Sequence, residues 1–186
     1  MKNKKILITI LIIVATIFVF LIVFKDSILK TVYPNTYIEI IEKNAEKYNI
    51  DADLILALIK AESNFQGKAV SNKGALGLMQ IMPSTAKNVI DINRLEIDKN
   101  NLEQELLIPE KNIEIGTAYL SMLFKKYDSI KVVIASYNAG IGTVDNWIEK
   151  EIITLSGIDI ENIPYKETNY YVRKVINNYK IYTKLY

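Results

Sequence analysis

The sequence predicts an all-α domain behind a single N-terminal transmembrane helix. Three observations carry that expectation. Apolar residues recur at helical spacing through most of the chain after residue 36. No alternating strand pattern extends beyond a few residues. Residues Ile6 to Phe24 form an apolar run of 19 positions, interrupted only by Thr9 and Thr16.

At about 1.5 Å per residue such a run matches the roughly 30 Å hydrocarbon core of a bilayer. Lys2, Lys4 and Lys5 precede it, which places the N-terminus in the cytoplasm and the remaining chain on the outer side. The run is longer than the apolar region of a cleaved signal peptide, and no small-x-small site follows Phe24, so an uncleaved anchor is expected. Three segments result: a membrane anchor over residues 1–25, a polar connector over 26–36, and a folded domain over 37–186.

Within the domain, Tyr37–Tyr48 shows helical spacing. Asp51 and Asp53 offer N-caps for a helix reaching about Asn64. Pro83 suits the first turn of a helix ending near Ile90. Ile92–Leu107 is irregular and holds a short helix. Pro109 opens the longest periodic segment, Glu110–Tyr127, whose apolar face includes Ile113, Ile115, Ala118, Tyr119, Met122 and Leu123. Ile130–Asn138, Gly142–Lys150 and Thr168–Thr183 complete the expected helices.

Composition removes most rival chemistries. The 186 residues include no histidine and no cysteine, which excludes histidine-based triads, thiolate metal sites and disulfides. Net charge is +2, and without the four lysines that flank the apolar run the rest carries −2. That balance offers no field for nucleic acid. No metal and no cofactor is expected.

Carboxylates, hydroxyls, amides and tyrosines remain. Glu62 sits near the end of the apolar run Asp53–Asn64 and shares a helix face with Ile55, Leu58 and Ile59. Partial desolvation and a helix C-terminus both push a carboxyl toward its protonated form. Gly74 and Gly77 let the following loop approach a ligand closely, with Gln80 and Met82 beside it. Tyr137 offers a stacking face and a hydroxyl, and Asn138 follows it. Glu167 supplies a second acid. Taken singly, each is also an ordinary feature: a Glu at a helix rim, a glycine loop, a C-cap at Asn138, an acid in the first turn of the last helix at Glu167.

Together they resemble a known family. Glu62-Ser63, then Gly77-Leu78-Met79-Gln80-Ile81-Met82-Pro83, then Tyr137-Asn138-Ala139-Gly140, then Glu167-Thr168 with Tyr171-Val172, match in order and spacing the soluble-lytic-transglycosylase type of peptidoglycan lytic transglycosylase. The resemblance covers about residues 38–183. It implies a compact lysozyme-like α domain with a groove for glycan strands. The family's single catalytic acid falls on Glu62. Ser63, Ser71, Gln80, Met82, Tyr137, Asn138, Glu167 and Tyr171 fall on substrate-binding positions. Ser136 departs from the usual alanine, and Asn169 stands where a basic residue is common, which bears on sugar-subsite preference.

The activity so implied is cleavage of the β-1,4 bond between N-acetylmuramic acid and N-acetylglucosamine, leaving 1,6-anhydromuramic ends. Expected partners are peptidoglycan glycan strands and, through residues 6–24, the membrane. Two alternatives share the groove: a goose-type-lysozyme-like muramidase, in which water attacks, and a non-catalytic peptidoglycan-binding module.

Overall fold

A computed structural model describes residues 2–186 of the chain. The side chains of Lys2 and Lys5, two of the basic residues before the apolar run, lie outside the described residues. The chain divides into two compact units, one ending at Asn35 and one spanning Thr36 to Lys184.

The first unit holds α1 (Lys2–Val23) and α2 (Lys25–Val32). Two expectations change here. Among the described residues no single helix is long and apolar enough to cross a membrane. Thr9–Val23 and Lys25–Val32, bent by 61°, meet that test only as a pair, by length and composition. The stretch expected to be a connector is helical up to Val32. Nothing breaks a helix between Phe24 and Pro34, and Asp26 in the first turn with Lys30 in the last suits the helix dipole.

The second unit is built of helices, and among its described residues no strand forms. Its first helices are α3 (Ile38–Tyr48) and α4 (Ala52–Glu62). The Asp51 side chain accepts from the Asp53 amide at 2.8 Å and so starts α4. Leu54 to Ile59 are six consecutive buried residues, so α4 is buried on every side over this stretch. After α5 (Pro83–Asn93) a 3-10 turn, Lys99–Asn101, leads to the short α6 (Leu102–Glu105). Helix α7 (Pro109–Lys126) packs against α3, α5 and α8 (Ile130–Ala139). Ile113, Ile115, Ala118, Leu120 and Leu123 on α7 are fully buried.

Gly140 ends α8 at φ +86° and begins α9 (Ile141–Glu149). A second 3-10 turn, Ile160–Asn162, precedes α10 (Lys166–Leu185). This last helix returns to α4. Tyr171, Lys174 and Asn178 lie at i, i+3 and i+7, on one stripe of α10. They bond Glu62 Oε1, the Ala61 carbonyl and the Ala57 carbonyl at 2.5, 2.7 and 3.3 Å.

Candidate active site

Glu62 is the last residue of α4, and the chain reverses directly after it. Asn64 and Phe65 adopt φ of +51° and +64°. Ala61 and Glu62 are half-buried, beyond the buried stretch Leu54–Ile59. The Glu62 carboxyl lies partly buried against tyrosines from two other helices. Tyr171 donates to Oε1 at 2.5 Å. Burial drives the carboxyl up to about 7, against the opposing pull of the Tyr171 hydrogen bond and the Lys174 charge. A carboxyl balanced there holds and releases a proton near neutrality. Burial also pushes the Tyr137 and Tyr171 phenols well above their ordinary value, so both remain proton donors.

The loop from residue 66 to 82 forms one wall. Two isolated bridges, Val70 with Leu76 and Leu76 with Ile81, fold it on itself. Gly77 sits at φ +75°, and a Cβ there would lie 2.3 Å from both Asn112 Nδ2 and the Leu106 carbonyl. Asn112, fully buried on α7, holds the turn from beneath. Its Nδ2 donates to Leu76 O at 2.9 Å and Leu106 O at 2.7 Å, and its Oδ1 accepts from the Met79 amide at 2.7 Å. From above, the Tyr137 hydroxyl donates to the Met79 carbonyl at 2.8 Å. The Tyr119 ring lies 5.3 Å from that of Tyr137 and fixes its face.

The remaining candidate residues divide by role. Ser63 is buried and its hydroxyl turns back to the Ile59 carbonyl at 3.3 Å. Ser71 Oγ accepts from the Ala75 amide at 2.9 Å and closes the turn that holds Gly74. Gln80, at φ +48°, commits both amide hydrogens to the loop: Nε2 donates to Ala69 O at 3.1 Å and to Gly77 O at 2.8 Å. Its Oε1 is the atom left to meet a ligand. Met82 is exposed at the start of α5. Asn138 Oδ1 accepts from Thr168 Oγ1 at 2.8 Å, which ties α8 to α10, and the C-cap itself is Gly140. Glu167 is largely exposed and pairs with Lys73 of the loop at 3.5 Å.

Sequence reasoning missed Asn112 and Lys174. A signal for Asn112 exists: it is an amide beside Ile113 on the most apolar face of α7. Among the described residues no group of three or more acidic side chains is placed to hold a metal ion.

The helical scaffold, with one shielded carboxyl beside a glycine-turned loop, defines a lysozyme-like transglycosylase fold. Residues 39–154 match the Transglycosylase SLT domain, and the chain belongs to that family. The soluble lytic murein transglycosylase of Escherichia coli (strain K12) is 32% identical over 146 residues, covering 77% of this chain and 22% of that protein. Membrane-bound lytic murein transglycosylase C of Edwardsiella ictaluri is 33% identical over 169 residues, covering 80% of this chain and 47% of that protein. An inactive glutamate-to-glutamine mutant of the lytic transglycosylase Slt from Pseudomonas aeruginosa superposes with a TM-score of 0.75 at 33% identity, over 84% of this chain and 25% of that one. The chain thus spans about a quarter of the soluble relatives and about half of the membrane-bound one.

Proposed function

We propose that this chain is a membrane-anchored lytic transglycosylase acting on peptidoglycan, with Glu62 as its only general acid and base. The observation that carries the reading is the Glu62 carboxyl itself. It is lifted to about 7, held by Tyr171 and flanked by Tyr137. The names of the relatives and the inactive glutamate-to-glutamine mutant of the Pseudomonas enzyme support it.

In this reading the protonated Glu62 gives its proton to the oxygen linking N-acetylmuramic acid to N-acetylglucosamine. The C1–O4 bond breaks, and positive charge develops at the muramic anomeric carbon and its ring oxygen. The Glu62 carboxylate then takes the proton of the muramic C6 hydroxyl, whose oxygen bonds to the anomeric carbon. The net change is one bond exchanged within the strand, with no water consumed and Glu62 returned protonated. Attack from within the same sugar saves the cost of positioning a second reactant. A hydrolase of the two-carboxylate type needs a second acid across the bond. Glu167, the acid the motifs offer, is exposed and paired with Lys73.

The groove contacts are part of the same proposal. Gln80 Oε1, Met82, Tyr137 and Glu167 line the path of the strand, while Ser63, Ser71 and Asn138 shape the backbone around it. Residues 1–25 serve as anchor, 26–36 as the link and 37–186 as the catalytic domain, held on the wall side of the membrane. The apolar stretch of α1 and the name of the membrane-bound relative support membrane attachment, and the lysines ahead of that stretch support the wall side.

The test is mass spectrometry of the soluble products after the full chain, in detergent, digests purified peptidoglycan, with Glu62→Gln as control. Muropeptides lighter by one water, without a reducing muramic end and absent from the Glu62→Gln digest, are expected. Reducing ends would replace this reading with hydrolysis. Retention on the insoluble wall without products would replace it with a binding module.

A further inference from the structure

The last turn of α4 carries a second contact from α10 that the proposed chemistry has not used. The final carbonyls of a helix have no partner within it. One of these, on Ala61, immediately precedes the acid and receives Lys174 Nζ at 2.7 Å. Lys174 lies one turn beyond Tyr171 on the same stripe of α10, so two side chains of one helix grip the backbone and the carboxyl of adjacent residues. A cation at a helix C-terminus also opposes the dipole that disfavours a carboxylate there.

We propose that Lys174 is a positioning residue for Glu62: it pins the end of α4 so that the carboxyl meets Tyr171, and it sets an ammonium beside the acid that keeps the carboxylate accessible. The inference rests on Glu62 being the acid and base of the reaction. It adds a reason why the group can serve in both directions. Burial alone drives a carboxyl toward permanent protonation, which suits the acid step and defeats the base step. The ammonium pulls the other way.

The groups facing this pair are few. From α10 come the Tyr171 phenol and Lys174 itself, and from α8 the Tyr137 phenol, whose burial keeps it neutral. From α4, Lys60 faces Lys174, and burial together with the Lys174 charge lowers its own proton affinity. Lys60 donates to Asn64 Oδ1 at 2.5 Å. Tyr171 and Lys174 are thus the groups whose removal strengthens proton binding at Glu62. Lys174 is the one of the two that makes no hydrogen bond of its own to the carboxyl.

The experiment follows the Glu62 carboxyl directly. The full chain in detergent, labelled with 13C at glutamate Cδ, is titrated by NMR, and the Glu62 signal is assigned by its loss in Glu62→Gln. Lys174→Met is expected to raise the Glu62 midpoint by more than ~0.3 unit, a twofold change in the ratio of protonated to ionised carboxyl, while Lys174→Arg stays within that margin. High salt is expected to raise the midpoint in the parent chain, because the exposed ammonium is screened, and to leave it unmoved in Lys174→Met.

An unchanged midpoint in Lys174→Met overturns the proposal, and so does an equal shift in Lys174→Arg, which would mark a purely structural contact. Should Lys174→Met fail to fold, the salt response of the parent and the Lys174→Arg midpoint decide. A flat salt response then overturns it. If the midpoints move as expected but digestion of peptidoglycan yields no anhydro ends, the catalytic reading fails and the role of Lys174 stands.

Discussion

The Tyr137 hydroxyl donates to the Met79 carbonyl at 2.8 Å, and the Met79 amide donates to Asn112 at 2.7 Å. One residue of the loop is therefore clamped through both its flanking peptides, from α8 on one side and α7 on the other. The single proton of Tyr137 is already committed, so its contribution to a bound glycan is its ring face, its oxygen lone pairs and the loop it steadies. Tyr137→Phe keeps the ring and loses the clamp. It is expected to lower turnover roughly 3- to 10-fold, the worth of one hydrogen bond, with a smaller change in retention on insoluble wall. Steady-state digestion set beside a pull-down on purified peptidoglycan checks this. Equal losses in both would mean a simple binding role.

Glu62 also links activity and stability to pH. The acid step needs the protonated carboxyl, so cleavage should decline as pH rises through about 7. The folded group binds its proton more tightly than the unfolded one, whose ordinary value is 4.5. Its contribution to stability is then complete below 4.5 and lost as pH rises through about 7. Glu62→Gln escapes that loss and still presents an oxygen to Tyr171. The variant should be the more stable one at pH 8, by up to ~3 kcal/mol, with the advantage shrinking toward zero near pH 4. Urea unfolding of both chains at the two pH values measures it.

Asn112 satisfies one amide and two carbonyls at once. Asn112→Leu keeps much of the volume and strips the Met79 amide and the Leu106 carbonyl of this partner, while the Leu76 carbonyl keeps the Ile81 amide, for an expected loss of ~2–4 kcal/mol. Gly77→Ala should fail for the complementary reason: its Cβ meets the Leu106 backbone and the Asn112 amide at a φ that side chains rarely adopt. Gly116→Ala presses instead on Met79 Sδ, at 2.4 Å, the movable end of a flexible side chain. Its cost is expected at ~1–3 kcal/mol, well short of Gly77→Ala. Denaturation midpoints of the three variants rank them.

Glu167 and Lys73 are both largely exposed, and exposed pairs contribute little, about 0–1 kcal/mol. Glu167→Gln should leave the melting temperature nearly unchanged. A fall in peptidoglycan cleavage in that stable variant would then report contact with the glycan, and unaltered cleavage would remove Glu167 from the groove.

The helices of the second unit were legible because their punctuation is local. Asp51, Pro83, Pro109 and Gly140 each fix an end through their own side chain or backbone. The helical form of Lys25–Val32 was not legible, because its charges suggest an irregular link although nothing in it breaks a helix. Glu62 stood out through its apolar neighbours on α4. The motifs marked Tyr171 as a site residue but not as the partner of Glu62, since it lies 109 positions away and only the packing of α10 on α4 joins them. Gln80 shows the reverse limit. The motif marks it as a glycan contact, while the turn it stabilises occupies both its hydrogens, a geometry no spacing rule contains.

The segment that matches the family ends at residue 154, twelve positions before α10 begins. A fragment trimmed to that match would retain Glu62 and Tyr137 and lose the hydroxyl and the ammonium that hold the acid. The same holds during synthesis. Until α10 has left the ribosome and packed on α4, Glu62 lacks its hydroxyl partner and the end of its helix lacks the ammonium.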